Sequence, residues 1–399
     1  MAGTSLDAIA NYSSLERAWK EIFSRSRPKS RNTLGVDNAS INDFARDPNS
    51  RLRSISAQLK GGGYTFSRLR PHLVKKPGGK DRLICVPTVN DRVVQRALLD
   101  FLTAKYGRRY ANAISYGFIK GRTVIEAVRH ACTLRDQHGW AFKTDISAFF
   151  DRINRHLLHQ KIRKAIKHKT LHDLLIAASS CEIDEPSGSS KRKIAELGIQ
   201  QGLGIRQGMP LSPFFANLFL EPFDQEIISA RLKAVRYADD LIFFADSRSE
   251  CEDIAAFCVR TLDRLHLKIP DLGPDSKSTV ASPTEAIEFL GLGLQQGNSG
   301  YELILLKSQR EAIKMELMRL GSIPDLLTRK IQLANLGRAI ESRISGYLHT
   351  YEHCTNFPEL CNELEGLHQT ILRRIYGAEG LGINLDSLSA TNRTFLGLS

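Results

Sequence analysis

The chain has 399 residues, 42% of them hydrophobic and 25% charged, which is typical of a globular protein with two or three subdomains. Its net charge of +13 favours a polyanionic partner such as a phosphate backbone, although a basic surface without such a partner is an equally open interpretation. The seven cysteines have no paired spacing, and no secretory leader or membrane span is recognisable. This excludes a disulfide framework, a zinc ribbon and a membrane protein, and predicts a cytoplasmic location.

The first part of the chain carries mainly helix signals. Ser13 and Glu16 fit a capping box ahead of apolar residues at helical spacing, and Ser40 is predicted to begin a second helix. Gly61–Gly63 interrupts this pattern. Apolar segments on either side of a Pro-Gly-Gly turn in LVKKPGGKDRLICVP then predict a β-hairpin, and DRVVQRALLDFL returns to helical spacing.

The middle of the chain mixes strands and helices. WAFKTDISAFF predicts a buried strand that runs into a turn, the basic segment Arg152–Ser180 predicts helices, and Asp184–Lys193 predicts an exposed loop. AVRYADDLIFFA predicts a tight strand–turn–strand, and Gly297–Gly300 predicts the turn of another hairpin. From Lys307 to about Tyr376 the pattern is helical. The coarse order is therefore a helical start, a mixed α/β middle and a helical end.

Three aspartates stand out in apolar surroundings. Asp145 follows a predicted strand, and Asp239 and Asp240 form the centre of a predicted strand–turn–strand. Adjacent buried carboxylates repel one another unless cations compensate, and hard divalent ions with oxygen ligands are suited to that purpose. The alternative is a plain turn dipeptide, but Asp-Asp between such apolar flanks is unusual in hairpin turns.

Seven ordered elements resemble reverse transcriptases, in particular the group II intron-like enzymes of bacteria. Tyr237-Ala238-Asp239-Asp240 resembles their YADD box. The other elements are Leu73–Leu98, similar to a fingers motif; Ile114–Thr123, similar to SYGFRPGRS; Lys143–Ile153, similar to the first catalytic motif; Arg206–Leu220, similar to QGxPxSPxxxN; and Ser276–Val280 and Phe289–Leu294, similar to a later palm motif and the primer grip. The N-terminal LERAWKEIF region also resembles the start of such proteins.

The resemblance implies a right-hand polymerase fold of the α+β class. An N-terminal helical extension and fingers would occupy residues 1–72, further fingers 73–139, a palm with an antiparallel sheet 140–300, and a helical thumb with a C-terminal segment 301–399. The basic helical segment 152–206 would lie between the catalytic motifs of the palm.

The resemblance also assigns site residues. The catalytic set is Asp145, Asp239 and Asp240; the metal set adds Ile146 to these; the nucleotide-binding set is Lys76, Arg82, Phe150, Gln207, Gly208 and Lys277; and the primer grip is Phe289, Leu290 and Gly291. The implied cofactor is Mg²⁺, as two ions, with Mn²⁺ as a substitute. The implied partners are dNTPs, an RNA template and a DNA product, without a membrane; a homo-oligomer or an accessory protein stays open.

For several of these residues, a purely structural or solvent-exposed position is an alternative to the functional role. Arg82 and Lys76 are suited to bind the phosphates of a triphosphate, but solvent-exposed cations on a hairpin that binds no ligand would give the same sequence pattern. An aromatic ring at Phe150 would exclude a 2′-hydroxyl, whereas Phe149 is interpreted as core. Lys277 could protonate the leaving pyrophosphate or be a surface lysine.

Other motifs are interpreted as structural. His349 to His353 matches an HxxEH zinc pattern, but it lies where the resemblance implies thumb helices. The pairs Cys251/Cys258 and Cys354/Cys361 are predicted to be helix-face core residues. The tyrosines Tyr347, Tyr351 and Tyr376 could prime synthesis, although packing is their commoner use.

The sequence therefore predicts an RNA-directed DNA polymerase. The biological setting expected is antiphage defence with a dedicated non-coding RNA, because the chain ends soon after a thumb-sized region and has no cysteine-rich nuclease signature. The alternatives are the reverse transcriptase of a group II intron, a retron or a diversity-generating element, and an RNA-binding, maturase-like scaffold. The retron hallmarks are missing, since Asn112-Ala113 continues into Ile-Ser-Tyr. The template, the primer and the oligomeric state are not predicted.

Overall fold

The computed structural model describes residues 4–75, 81–184, 189–396 and 398. The chain divides into two compact units. The first comprises Met1–Thr123, Phe142–Phe243 and Ser249–Thr279, and the second comprises Val124–Ala141, Phe244–Arg248 and Val280–Ser399. Within the described ranges no helix is both long and apolar enough to cross a membrane.

The α-helices of the described residues are α1 Ser5–Ala10, α2 Tyr12–Arg25, α3 Ile41–Arg46, α4 Pro48–Lys60, α5 Val89–Tyr110, α6 Val124–Gln137, α7 Phe149–Arg152, α8 Arg155–Ala165, α9 His172–Ser179, α10 Ser189–Glu196, α11 Ser212–Ser229, α12 Arg248–Asp263, α13 Lys307–Met318, α14 Ile323–Arg329, α15 Leu336–Tyr351, α16 Phe357–Tyr376 and α17 Ala390–Phe395. Short 3₁₀ turns span Pro28–Asn32, Lys169–Leu171, Arg319–Gly321, Leu333–Asn335 and Leu385–Ser387.

The strands are β1 Arg70–Lys75, β2 Asp81–Val86, β3 Trp140–Asp145, β4 Lys233–Tyr237, β5 Asp240–Ala245, β6 Thr279–Ala281, β7 Ile287–Phe289, β8 Leu292–Gln296 and β9 Tyr301–Ile304. They form a two-stranded sheet β1-β2, a four-stranded sheet in the order β4-β5-β3-β6 and a three-stranded sheet β7-β8-β9. The strand pairing of the predicted hairpins is confirmed, because β1 pairs antiparallel with β2 and β8 with β9, where Gln296 lies opposite Tyr301. The Pro-Gly-Gly turn predicted between β1 and β2 lies outside the described residues.

The core of the first unit is built largely from phenylalanines. Phe215, Phe219 and Phe223, at positions four apart on α11, are all fully buried. Phe142 of β3 and Phe243 of β5 stack with ring centroids 5.9 Å apart. This packing holds the sheet that carries the predicted catalytic aspartates.

The second unit combines the β7-β8-β9 sheet with helices. The apolar stripe of α16 is buried at Leu360, Leu364, Leu367 and Ile371, which recur at helical spacing. The fully buried Arg135 of α6 donates to the carbonyl oxygens of residues 282, 285 and 294 at 2.6 to 2.8 Å. These bonds tie α6 to the loop before β7 and to β8.

Two local predictions are wrong. The capping box at Ser13 does not form, because α2 begins earlier and the side chain of Asn11 caps it by accepting from the Ser13 N–H over 3.1 Å. The segment predicted as an exposed loop includes α10, which begins at Ser189. The helix at Ser40 is confirmed, with a capping box to Asp43.

All seven cysteines are unpaired thiols. Six are buried and Cys361 is half-buried. The predicted core pair Cys251 and Cys258 lies on α12, as expected. Cys354 is buried but lies beyond the end of α15, so only its partner Cys361 is on a helix.

Candidate active site

Three aspartates meet at one end of two neighbouring strands. Asp145 is the last residue of β3, and Asp239 and Asp240 lie where the β4–β5 turn enters β5. β3 and β5 are adjacent in the sheet. The N–H of Ile146 donates to the carbonyl oxygen of Asp239 over 3.0 Å. Residues that are far apart in the chain are therefore joined here by a main-chain hydrogen bond.

The turn that carries Asp239 has an unusual backbone. Ala238 has a φ of 57°, in the left-handed region that residues with a side chain rarely adopt. Ala238 is also buried, at 6% exposure. The surrounding structure therefore holds the turn in a conformation of higher energy, as is common at functional sites.

The carboxylates strongly influence one another. Burial raises the pKa of Asp239, and Asp145 adds to this, while Lys277 and Arg82 oppose it. Burial and the neighbouring Asp239 raise the pKa of Asp240 to about 6. Such a concentration of negative charge is stabilised by a cation.

The donor chemistry of this site fits a hard divalent ion. Oδ1 of Asp145 is buried and has no hydrogen-bond partner among the described residues, while its other oxygen forms an ion pair with the Lys277 ammonium. In the same described ranges no three Asp, Glu, His or Cys side chains are arranged to hold one ion together. An unpartnered buried carboxylate oxygen beside two further carboxylates is nevertheless the set of ligands that Mg²⁺ prefers.

Two of the predicted phosphate-binding cations can be located. Arg82 is on β2, exposed, and close enough to Asp239 to lower the pKa of that carboxyl. Lys277 precedes β6, and its hydrogen bond to Asp145 raises the pKa of its ammonium. Lys76 lies outside the described residues.

The two phenylalanines of α7 differ in environment. Phe149 is 1% exposed, so its interpretation as core is confirmed. Phe150 is half-buried, and its ring lies 5.3 Å from that of Phe149 and 6.4 Å from that of Phe118, measured between centroids. A half-buried ring five residues after Asp145 can contact a ligand as well as the core.

The loop before α11 is attached to β2. The Cys85 N–H donates to the Gln207 carbonyl over 2.7 Å. Gly208 has a φ of 108°, and a Cβ there would lie 2.5 Å from the Cys85 carbonyl oxygen. The resemblance assigns this glycine to nucleotide binding, but the backbone of β2 is already sufficient to require a glycine here.

The predicted primer-grip residues lie in the second unit. Phe289 ends β7 and is fully buried. Leu290 and Gly291 connect β7 to β8 with φ angles of 54° and 81°. Two successive positive φ angles are those of a type I′ hairpin turn.

The family of the chain follows from a match over its central part. A family model described as reverse transcriptase (RNA-dependent DNA polymerase) matches residues 74–294, more than half of the 399 residues. The chain belongs to this family. The matched range contains the three aspartates and the strands β3, β4 and β5 that carry them, so the resemblance inferred from the motifs and the α+β polymerase fold are confirmed.

Curated relatives of this reverse transcriptase include intron and retron proteins. It is 27% identical over 205 residues to "Protein YkfC" of Escherichia coli K12, which covers 49% of this chain and 50% of the relative. It is 24% identical to "Group II intron-encoded protein LtrA" of Lactococcus lactis subsp. cremoris, and the match covers 56% of this chain and 35% of the relative. It is 23% identical to "Retron Ec83 reverse transcriptase" of Escherichia coli, and the match covers 42% of this chain and 49% of the relative. The chain thus spans half or less of the length of these relatives.

Solved structures similar to the chain include a partial Cas6-RT-Cas1–Cas2 complex, with a TM-score of 0.40, 25% identity, and coverage of 66% of this chain and 42% of that one. Telomerase from Candida albicans is also similar, with a TM-score of 0.40, 13% identity, and coverage of 85% and 67%.

A buried network behind the YADD turn of this reverse transcriptase was not predicted. Arg236 is 1% exposed and forms two hydrogen bonds with the Asp224 carboxylate, at 2.6 and 2.5 Å. It also donates to the Ala238 carbonyl over 3.0 Å, to Asn217 over 3.2 Å and to Ser115 over 2.8 Å. Arg236 therefore connects the turn to α11 and to the SYGF segment.

Gly117 makes a second unpredicted contact with that turn. A Cβ at Gly117 would lie 2.9 Å from the Tyr237 carbonyl carbon and closer still to the Ala238 nitrogen. Asn217 donates to the Gly117 carbonyl over 3.0 Å. The glycine of the SYGF motif is thus required because two backbones approach each other, which its place in the motif signals but does not explain.

A third unpredicted group lies just before Gln207. Glu182 accepts from Arg155 over 2.6 Å, from Arg206 over 2.7 Å and from the Gly202 N–H over 2.8 Å. Arg206 is 1% exposed. Sequence reasoning treated this region only as basic, because a lone glutamate far from its partners carries no sequence signal.

The HxxEH pattern does not form a zinc site. α15 ends at Tyr351, so His349 and His353 do not share a helix face. Both lie 3.7 Å from Glu352, and no metal-binding group of three is found among the described residues. Tyr347, Tyr351 and Tyr376 of this region are half-buried.

Proposed function

We propose that this chain is an RNA-directed DNA polymerase that copies an RNA template into DNA with dNTPs as substrates. The observation that supports this most strongly is the hydrogen bond from Ile146 to the Asp239 carbonyl, which brings Asp145 to the YADD turn in a chain of the reverse transcriptase family. The unpartnered Asp145 oxygen beside them supports a divalent-ion site.

In this proposal Asp145 and Asp239 are the main ligands of two Mg²⁺ ions, with Mn²⁺ as a substitute. Asp240 supports them and Ile146 contributes its main-chain carbonyl. When bound, such a pair stabilises the attacking and leaving oxygens of an in-line phosphoryl displacement. In this proposal Lys277, whose ammonium lies against the Asp145 carboxylate, delivers a proton to the leaving pyrophosphate.

The remaining residues select and hold the nucleotide. Arg82, together with Lys76, neutralises the triphosphate. Phe150 blocks the space of a 2′-hydroxyl, and Gln207 with Gly208 lies against the new base pair. The Phe289-Leu290-Gly291 turn acts as the primer grip.

The test is primer extension on poly(rA) with an oligo(dT) primer. Asp239→Asn removes a ligand charge without changing side-chain size, and we expect it to lower the extension rate by at least about a thousandfold. Asp246→Asn, the same change just beyond β5, is the matched control and should retain activity. Extension by the Asp239 variant at the wild-type rate would overturn the proposal and favour an RNA-binding scaffold.

For the biological setting we propose cytoplasmic synthesis on a cognate non-coding RNA in antiphage defence. Its support is the resemblance of the motifs to the group II intron-like enzymes of bacteria, a class that the curated relatives also include. Sequencing the nucleic acid that copurifies with the protein identifies template and product. Phage plating with the native locus should show protection by wild type and none by Asp239→Asn; protection by both contradicts the defence role.

A further inference from the structure

A cavity of about 520 Å³ lies between α8, α11 and the ends of α5 and α12, all in the first unit. None of its lining residues belongs to the catalytic or nucleotide-binding sets given above. Its volume is within the range of pockets that hold small ligands. The composition of its wall indicates what that ligand is.

Four cationic side chains line the cavity, and the charges of two of them are neutralised by ion pairs with carboxylates. Arg109 forms an ion pair with Glu221, another lining residue, through two nitrogens of its guanidinium. Arg264 forms an ion pair with Glu226. Lys161 and Lys164, one turn apart on α8, form no ion pair with a carboxylate among the described residues.

Lys161 is not an ordinary surface lysine. It is half-buried, and its ammonium lies 5.6 Å from the centroid of the buried Phe219 ring. Burial lowers its pKa, and the nearby Lys164 lowers it further, while Glu221 opposes them. A partly desolvated ammonium beside a second cation is stabilised by an anionic ligand.

The rest of the wall suits a nucleoside. Leu157, Leu218 and Leu265 provide apolar surface, and Gln160 and Gln225 provide amide donors and acceptors. An anion alone would not use the apolar part, and an apolar ligand would not use the lysines. A base and sugar against the leucines with a phosphate at the lysines uses both.

We propose that this cavity is a second binding site that holds a nucleoside phosphate, with Lys161 and Lys164 contacting the phosphate. The same chemistry is offered by a free nucleotide and by a nucleotide of an RNA strand. The site is separate from the polymerase reaction, so its test does not depend on that activity.

The experiment compares wild type with the double variant Lys161→Gln/Lys164→Gln. Affinity is measured for ATP by equilibrium dialysis and for a 5′-phosphorylated RNA decamer by fluorescence anisotropy. Both assays contain EDTA, to suppress binding that needs a divalent ion. We expect at least a tenfold loss of affinity for one of the two ligands. The ligand that is affected shows whether the site binds a free nucleotide or a nucleotide of an RNA strand. For RNA, the slope of log Kd against log salt should fall by about 1.4, the value for two single-strand phosphate contacts.

The matched control is Lys60→Gln/Lys233→Gln, which removes the same charge from exposed positions of the first unit. A 4-thiouridine crosslink from the RNA should map to α8 or α11 in wild type. Thermal unfolding of both double variants confirms that they are folded. If the cavity variant binds ATP and RNA as tightly as the control does, the proposal is wrong, whether or not the wild type polymerises DNA.

Discussion

Phe150 is a half-buried ring next to the fully buried Phe149. Its ring lies against the rings of Phe149 and Phe118. An aromatic ring at this position can exclude a hydroxyl group by its volume.

We expect Phe150→Ala to admit ribonucleotides. The ratio of kcat/KM for dTTP to that for UTP on poly(rA) should fall by about tenfold or more, because the truncated side chain leaves space for the 2′-hydroxyl. Phe395→Ala, at a ring that is 88% exposed, is the control and should leave the ratio unchanged. An unaltered ratio in the Phe150 variant would remove this role.

Gly117→Ala is expected to damage the YADD turn from outside. The added Cβ meets the main chain of Tyr237 and Ala238, which cannot move aside as a flexible side chain can. Overpacking of this kind destabilises by about 1–3 kcal/mol, and here it should also lower the primer-extension rate.

The control for that substitution is Gly346→Ala. Gly346 is inside α15, where an added Cβ meets nothing within 4 Å, so the change should be neutral or stabilise by about 0.5–1 kcal/mol. Urea unfolding measures both variants. Equal stability of the two alanine variants would show that the turn accommodates the methyl group.

At the scale of elements, the segment between Asp145 and Gln207 is a structural link as well as a basic surface. The Leu69 N–H donates to the Glu182 carbonyl over 2.8 Å, so the Glu182 segment is tied to the chain just before β1. The Glu182 side chain binds Arg206, directly before Gln207. A single residue thus links the base of the β1–β2 hairpin to the loop before α11.

Glu182 should make stability depend on acid pH. Burial raises its pKa, but the hydrogen bonds from Arg206, Gly202 and Arg155 outweigh burial and lower it below the ordinary value of 4.5. A lowered folded-state pKa means that the contribution is fully present above about pH 4.5 and is lost as the pH falls through the folded-state pKa.

We therefore expect Glu182→Gln to destabilise by about 2 kcal/mol at pH 7, since it leaves two buried guanidinium groups without a carboxylate. The difference from wild type should shrink as the pH is lowered below about 4.5. Urea unfolding at several pH values measures it. Glu196→Gln, at an exposed i,i+4 pair, is the control; a difference that does not change with pH would contradict the assignment.

The sequence predicted those features whose pattern lies within one short stretch of neighbouring residues. Both hairpins were predictable because their turns and strands are contiguous, and Asp145 and the Asp239 turn were predictable because carboxylates in apolar strands are rare. The capping box failed because Asn11, two residues earlier, competes for the same role. The residues that flank Arg236 and Asp224 in the sequence do not predict their ion pair, because the pair forms only through tertiary contacts.

At the scale of the whole molecule, the net charge of +13 predicts salt-sensitive association with RNA. If about six phosphates are contacted, log Kd should rise with a slope of about 4.2 against log salt, or roughly 18-fold per doubling of salt. Anisotropy titrations with a single-stranded RNA measure the slope. Glucose at equal osmolality is the control and should leave Kd unchanged. A slope near zero would favour a basic surface with no polyanionic partner.

The burial of the thiols makes this enzyme convenient to label. Burial raises the pKa of Cys85, Cys132, Cys181, Cys251 and Cys258 to about 12 and that of Cys354 to about 11. These six side chains are therefore shielded and protonated at neutral pH, and maleimide reagents should modify Cys361 alone. A single fluorophore can then be attached to α16 without any substitution, and its emission can report on the second unit as RNA is added.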